Sequence, residues 1–180
     1  MTTNKRTAGI VAAAICITGL GAGQAAGQTP APQSRAGSKT ANLQVTAEVV
    51  PNCIIVRKSD VVFGTYDPIG ANATAPKDGQ GLIELGCTVG TNVKIELDNG
   101  QNAAGTARNM VGPSATKLGY DLFKDAAATQ RLGAGSSESH VYLIPSGQTG
   151  LTLTVYGRVP PKQNVRTGNY ADTILATISY

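Results

Sequence analysis

The strongest constraint on the fold lies at residues 168–180. Ile174, Ala176, Ile178 and Tyr180 fall on one face of an extended strand, and Thr173, Leu175, Thr177 and Ser179 fall on the other. That is the period-two pattern of a half-buried strand. Such a strand must be clamped by a sheet. With the sequence ending on it, its second edge is expected to stay open, and an open apolar edge invites pairing with another chain.

The opposite end reads as an export signal over residues 1–25, with Lys5 and Arg6 ahead of an uncharged, mostly apolar run and small residues at 23–27. The run is shorter than the roughly 20 residues of a membrane span. No span is expected in the mature chain. Ile15 precedes Cys16 where a lipid-anchor signal needs a small residue. Loss of the signal leaves Cys53 and Cys87, which an oxidising compartment would join in one disulfide; the alternative is two separate buried thiols. Of the formal charge of +4, two units belong to Lys5 and Arg6, and no Lys/Arg run makes a phosphate track, so nucleic acid is not an expected partner.

Residues 26–42 hold Pro30, Pro32 and Gly37 with few bulky apolar side chains, the composition of a flexible arm. Leu43, Val45, Ala47 and Val49 then alternate with Gln44, Thr46 and Glu48. The pattern fits either an ordinary first strand behind a loose tail or a strand for donation to a neighbour. Two short apolar runs, at 54–56 and 61–66, follow around Arg57, Lys58, Ser59 and Asp60. A polar loop is expected at 72–80 and a strand near 81–89, which the disulfide would tie to the first strand region. Val93, Ile95 and Leu97 alternate up to Asn99-Gly100, a hairpin signal. Further short strands are expected near 108–112, 118–122, 141–144 and 151–159. With 22 glycines, no tryptophan and no helical period, the chain reads as an all-β sandwich of one domain, residues 43–180.

Catalytic chemistry finds little here. His140 is the single histidine, so a two-histidine metal site cannot be built, and an imidazole at a strand edge or in a loop is the expected role. Asp67, Asp78, Asp98, Asp121 and Asp125 sit in turn-like surroundings. Asn72-Ala73-Thr74 matches a glycosylation sequon of low specificity. The six tyrosines suggest either a sugar platform or core packing. No enzyme, metal or cofactor is expected.

Several segments together resemble the spore coat protein U domain and, within it, subunits of archaic chaperone–usher pili. They are the alternating run from Leu43 to Cys53; Phe63-Gly64-Thr65-Tyr66-Asp67-Pro68; the run from Gly81 to Cys87-Thr88; Leu118-Gly119-Tyr120-Asp121-Leu122-Phe123-Lys124-Asp125; and Gly168-Asn169-Tyr170-Ala171-Asp172-Thr173 with its terminal strand. The pilin type with a tyrosine one residue before its end is not matched, because Ser179 is penultimate and Tyr180 last. The resemblance implies an incomplete immunoglobulin-like β-sandwich completed by a donated strand. It also implies a periplasmic chaperone, an outer-membrane usher and head-to-tail copies of related subunits as partners, with transit through the periplasm to a surface fibre serving adhesion or biofilm formation. On this reading Leu43, Val45, Ala47 and Val49 are donor residues, and Ile174, Ala176, Ile178 and Tyr180 form the acceptor strand that a chaperone would contact. A self-contained secreted coat or carbohydrate-binding module is the alternative.

Overall fold

The computed structural model describes residues 37–148 and 150–180. The chain divides into two units, Met1–Val45 and Thr46–Tyr180. Of the first, the described residues 37–45 are exposed and carry no helix or strand. The expected export signal, Cys16 and residues 26–36 of the arm lie outside the described residues.

The second unit is built from two antiparallel sheets, and the described residues contain no α-helix. One sheet runs in the order β1 (Cys53–Val62), β2 (Lys77–Cys87), β7 (Gly150–Val159), β5 (Lys117–Phe123) and β4 (Arg108–Val111). The other runs β6 (His140–Leu143), β3 (Asn92–Leu97) and β8 (Ala176–Ser179). Alternate residues of each central strand turn inward: Val93, Ile95 and Leu97 from β3 share one buried cluster with Leu153, Val155 and Val159 from β7. Two packed sheets with this alternation make an immunoglobulin-like sandwich. Cys53 and Cys87 face each other in the β1–β2 register and are joined by a disulfide.

Five local expectations give way, the first being the loop at 72–80, whose residues 77–80 already belong to β2. Residues 54–56 and 61–62 are joined into β1, which absorbs the polar residues between them with register shifts at 55/57 and 59/62, while residues 63–66 lie beyond its end and carry no strand. Residues 43–49 form no strand and residues 37–52 are exposed throughout. The terminal strand spans only Ala176–Ser179 and leaves Tyr180 outside it. Asn99-Gly100 makes a turn, with Gly100 at φ +85°, yet no hairpin: β3 pairs with β6 and β8, whereas β4 pairs with β5 in the other sheet.

Arg108 explains that crossing. Its side chain is fully buried; Nε and Nη2 donate to the Asp98 carbonyl at 3.0 and 2.6 Å, and Nη1 donates to Asp121 Oδ1 at 2.7 Å. A guanidinium so held ties the end of β3 to the opposite sheet, satisfying carbonyls that a hairpin ladder would otherwise pair. Asp121 also accepts from Arg131, and Asp78 from Arg158, so these two aspartates are ion-pair partners and not turn formers. Asp67, Asp98 and Asp125 do cap turns through backbone N–H groups. Asn72 is buried, with Oδ1 accepting from Asp67 N and Nδ2 donating to Ala75 O, so its amide is spent on the loop and is closed to a glycan.

Candidate functional site

A sheet whose edge strands all find cover has nothing to offer a partner strand, so the two edges nearest each other decide what this sandwich can do. Among the described residues β1 pairs only with β2, and β8 pairs only with β3. In each edge strand every second residue aims its N–H and C=O away from the sheet. An open groove of two adjoining chambers flanks β1, and its smaller chamber reaches β8 at Ala176. The larger, about 990 Å³, is lined by Val61, Phe63 and Tyr66 on one side and Val165 and Tyr170 on the other. The smaller, about 570 Å³, is lined by Ile55 and Ile83 on one side and by Ile174 and Ala176 on the other, over Leu97 and Val155.

The two walls differ in how they are held. Residues 171–178 are tied along their length. Ala171 and Val111 exchange two backbone hydrogen bonds, Gln101 N donates to Thr173 O, Asp98 N donates to Leu175 O, and Leu175 N donates to Asp98 Oδ1. The β8–β3 ladder then continues to Ser179. Among the described residues the β1 wall hangs from β2 alone, and Ile54, Ile55, Val56 and Val62 are between 57% and 70% exposed. Apolar side chains on both faces of a strand are what a central strand carries. Here they sit on an edge, which marks β1 as a strand lacking a neighbour.

The floor of the smaller chamber holds one polar junction. Tyr120 Oη donates to Asp172 Oδ2 at 2.8 Å, and Asp172 Oδ1 accepts from Asn102 N at 3.2 Å and Asn102 Nδ2 at 2.8 Å. Burial, then the Asp172 carboxylate, push the Tyr120 phenol well above its ordinary range. Two segments far apart in sequence thus meet at the groove through one hydrogen bond. At the other chamber Tyr66 Oη donates to Pro160 O and accepts from Gln163 N, while the Gln163 amide pairs with both N and O of Gly119 as a strand would.

Of the residues singled out from sequence, Ile174, Ala176 and Ile178 pack partly buried against the core, and Ile174 and Ala176 line the groove. Tyr180 is 57% exposed and donates to Asn52 Oδ1 at 3.3 Å. Leu43, Val45 and Val49 are 80–88% exposed, and Ala47 is exposed as well. Tyr120 is buried in the core, and Tyr66, Tyr142 and Tyr170 pack partly buried against it. His140 opens the edge strand β6 and stacks with Tyr142, ring centroids 6.5 Å apart; burial, then the Lys124 charge, lower its pKa. Sequence patterning missed Arg108, Gln163, and the groove-lining roles of Ile55 and Phe63. The run Ile54-Ile55-Val56, apolar on both faces, was the available signal for β1.

The sequence description of the Spore Coat Protein U domain matches residues 39–177. The chain belongs to the Spore Coat Protein U domain family. Protein U of Myxococcus xanthus is 35% identical over 161 residues, covering 82% of this chain and 88% of its own length. The fold of this Spore Coat Protein U domain is similar, at a TM-score of 0.53 and 24% identity, to a chain in the crystal structure of the CsuC-CsuE chaperone–tip adhesion subunit pre-assembly complex from archaic chaperone–usher Csu pili of Acinetobacter baumannii. That match covers 73% of this chain and 40% of the other, so the domain spans two fifths of the longer chain.

Proposed function

We propose that this Spore Coat Protein U domain is a structural subunit of an archaic chaperone–usher surface pilus. It polymerises by donor-strand exchange: residues 43–49 of one copy fill the groove between β1 and β8 of the next. One observation carries the proposal, the coexistence in one chain of an open apolar groove between two unpaired edges and an exposed alternating segment, Leu43, Val45, Ala47 and Val49. An inserted strand supplies hydrogen-bond partners to both edges and side chains to the groove. Burying the three larger donor side chains at roughly 1.5–3 kcal/mol each contributes about 5–9 kcal/mol before ordering costs, comparable to the stability of a whole domain. A donor segment and an acceptor groove that meet only between copies give head-to-tail contacts, hence an open fibre.

Before assembly the groove needs a temporary occupant, the part assigned to a periplasmic chaperone, which an outer-membrane usher then exchanges for the next copy. The chain accordingly travels through the periplasm to the cell surface, where the fibre supports adhesion or biofilm formation. Its role is structural and not catalytic. Deleting residues 26–46 tests this: fibres should vanish while chaperone binding persists, and fibres of normal length from the truncated chain would end the donor reading.

A self-contained coat module is the second reading, favoured by the family's spore-coat description and the higher identity to Protein U. It requires the mature chain, expressed alone, to sediment as a stable monomer, and substitutions at Leu43 and Val45 to leave its assembly unchanged.

A further inference from the structure

Asn99-Gly100 is the one Asn-Gly step in the sequence, and the structure gives it no hairpin to turn. The same pair has a second chemistry. Because glycine carries no side chain to obstruct the approach, its backbone nitrogen can attack the Cγ of the preceding asparagine and expel ammonia. Here every group that such an attack needs is already engaged. Gly100 N donates to Asp98 Oδ1 at 2.9 Å, which fixes the plane of the peptide between Asn99 and Gly100. Asn99 Oδ1 accepts from Arg131 Nη2 at 3.2 Å, and Asn99 Nδ2 donates to Gly105 O at 3.5 Å. Arg131 is itself clamped. Nε donates to Asp121 Oδ2 at 2.7 Å, Nη1 to Glu138 Oε2 at 2.7 Å, and Nη2 also to Thr106 O at 2.8 Å. On either side of the pair Asp98 N donates to Leu175 O and Gln101 N donates to Thr173 O. Asp172 and Ile174 fill the space that a side chain on Gly100 would take.

We propose that Asn99 is a latent modification site, held shut in the folded chain by Arg131 and Asp98 and open to deamidation only when this segment loosens. In the loosened segment Gly100 N bonds to Asn99 Cγ, the Cγ–Nδ2 bond breaks, and ammonia leaves with the proton that Gly100 N gives up. Water then opens the cyclic imide at either carbonyl, leaving aspartate or isoaspartate at position 99. Water is the only reactant taken up, and nothing is oxidised or reduced. Isoaspartate carries an extra carbon in the main chain, so a chain that refolds afterwards cannot restore the turn from Asp98 to Gly100. That turn also holds the terminal segment, since Asp98 Oδ1 accepts from Leu175 N and Asp98 N donates to Leu175 O. The conversion is therefore a one-way mark on chains that have opened, written where residue 175 joins the end of β3.

The test incubates the full chain at neutral pH, folded and in urea, and follows residue 99 by peptide mass spectrometry, which separates asparagine, aspartate and isoaspartate by mass and elution. Conversion should be slower in the folded chain by about tenfold or more, because a single hydrogen bond from a charged donor is equivalent to about tenfold in a local opening equilibrium. Arg131→Met should raise the folded rate by about tenfold. Arg131→Lys should raise it less, since an ammonium keeps the charge and lacks the fork. Amide hydrogen exchange at Val93 and Ile95 in the same samples reports whether each variant is folded, which separates release of the clamp from loss of the sandwich. Equal rates for the folded and urea-treated wild type overturn the lock. So does a folded Arg131→Met chain, or an Arg131→Lys chain where the methionine variant does not fold, that converts no faster than the wild type. Absence of conversion in urea removes the site itself.

Discussion

Replacing Tyr120 by phenylalanine removes one oxygen from the groove floor and leaves the ring in place. The lost hydrogen bond is the 2.8 Å donation to Asp172 Oδ2, whose other oxygen keeps both contacts to Asn102. A hydrogen bond to a charged acceptor contributes roughly 1.5–3 kcal/mol, so Tyr120→Phe should destabilise by about 2 kcal/mol. At roughly 4 °C per kcal/mol for a domain of this size, the melting temperature should fall by about 8 °C. The substitution also changes the response to alkali. Burial and the Asp172 charge raise the phenol's pKa above the ordinary value of 10.0 in the folded state. The folded chain therefore holds this proton more tightly than the unfolded one. Its contribution is complete below pH about 10 and is lost as pH rises through the higher folded value. Urea titrations of the wild type, Tyr120→Phe, Asp172→Asn and the double variant from pH 7 to 11 measure both effects. The wild type should lose stability above pH about 10 more steeply than Tyr120→Phe. A coupling under about 0.5 kcal/mol in the cycle, with equal alkaline slopes, would refute the junction.

Three further outcomes follow from the same geometry. Arg108→Met should lower stability by about 3 kcal/mol, the lower end for breaking a buried pair because Asp121 keeps Arg131; Arg108→Lys should recover only part of the urea midpoint, since an ammonium lacks the fork. Gln163→Leu should cost about 1–3 kcal/mol and speed hydrogen exchange at the Gly119 amide, which donates to Gln163 Oε1. Gln163→Glu should be worse, because an oxygen then faces Gly119 O. Replacing both Cys53 and Cys87 by alanine opens a loop with a sequence separation of 34. It should cost about 3–4 kcal/mol by chain entropy, read as a lower urea midpoint than the oxidised wild type.

Much of the sandwich was legible from alternation. Val93-Ile95-Leu97, Leu118-Tyr120-Leu122 and Leu153-Val155-Val159 mark inward faces in sequence and are the buried residues of β3, β5 and β7. Alternation reports a face, however, and not a neighbour. It therefore marks the strand at 92–97 but not its partners, and Asn99-Gly100 opens no hairpin because buried Arg108, from another strand, holds the Asp98 carbonyl. For the same reason the expected strand near 141–144 came without a face: the β3 register turns His140 and Tyr142 inward and leaves Val141 and Leu143 exposed. The groove needed both walls in view: Ile55 and Phe63 stand beside Tyr170 and Ile174 only after the sheets have packed.

By itself the sequence determined the strand faces, the pair of cysteines and the all-β class, because side-chain period and local composition act over a few residues. Tertiary structure alone decided which edges remain unpaired among the described residues, where Tyr120 finds Asp172, and how Phe63 and Tyr170 come to line the same groove, because each depends on residues far apart in the chain.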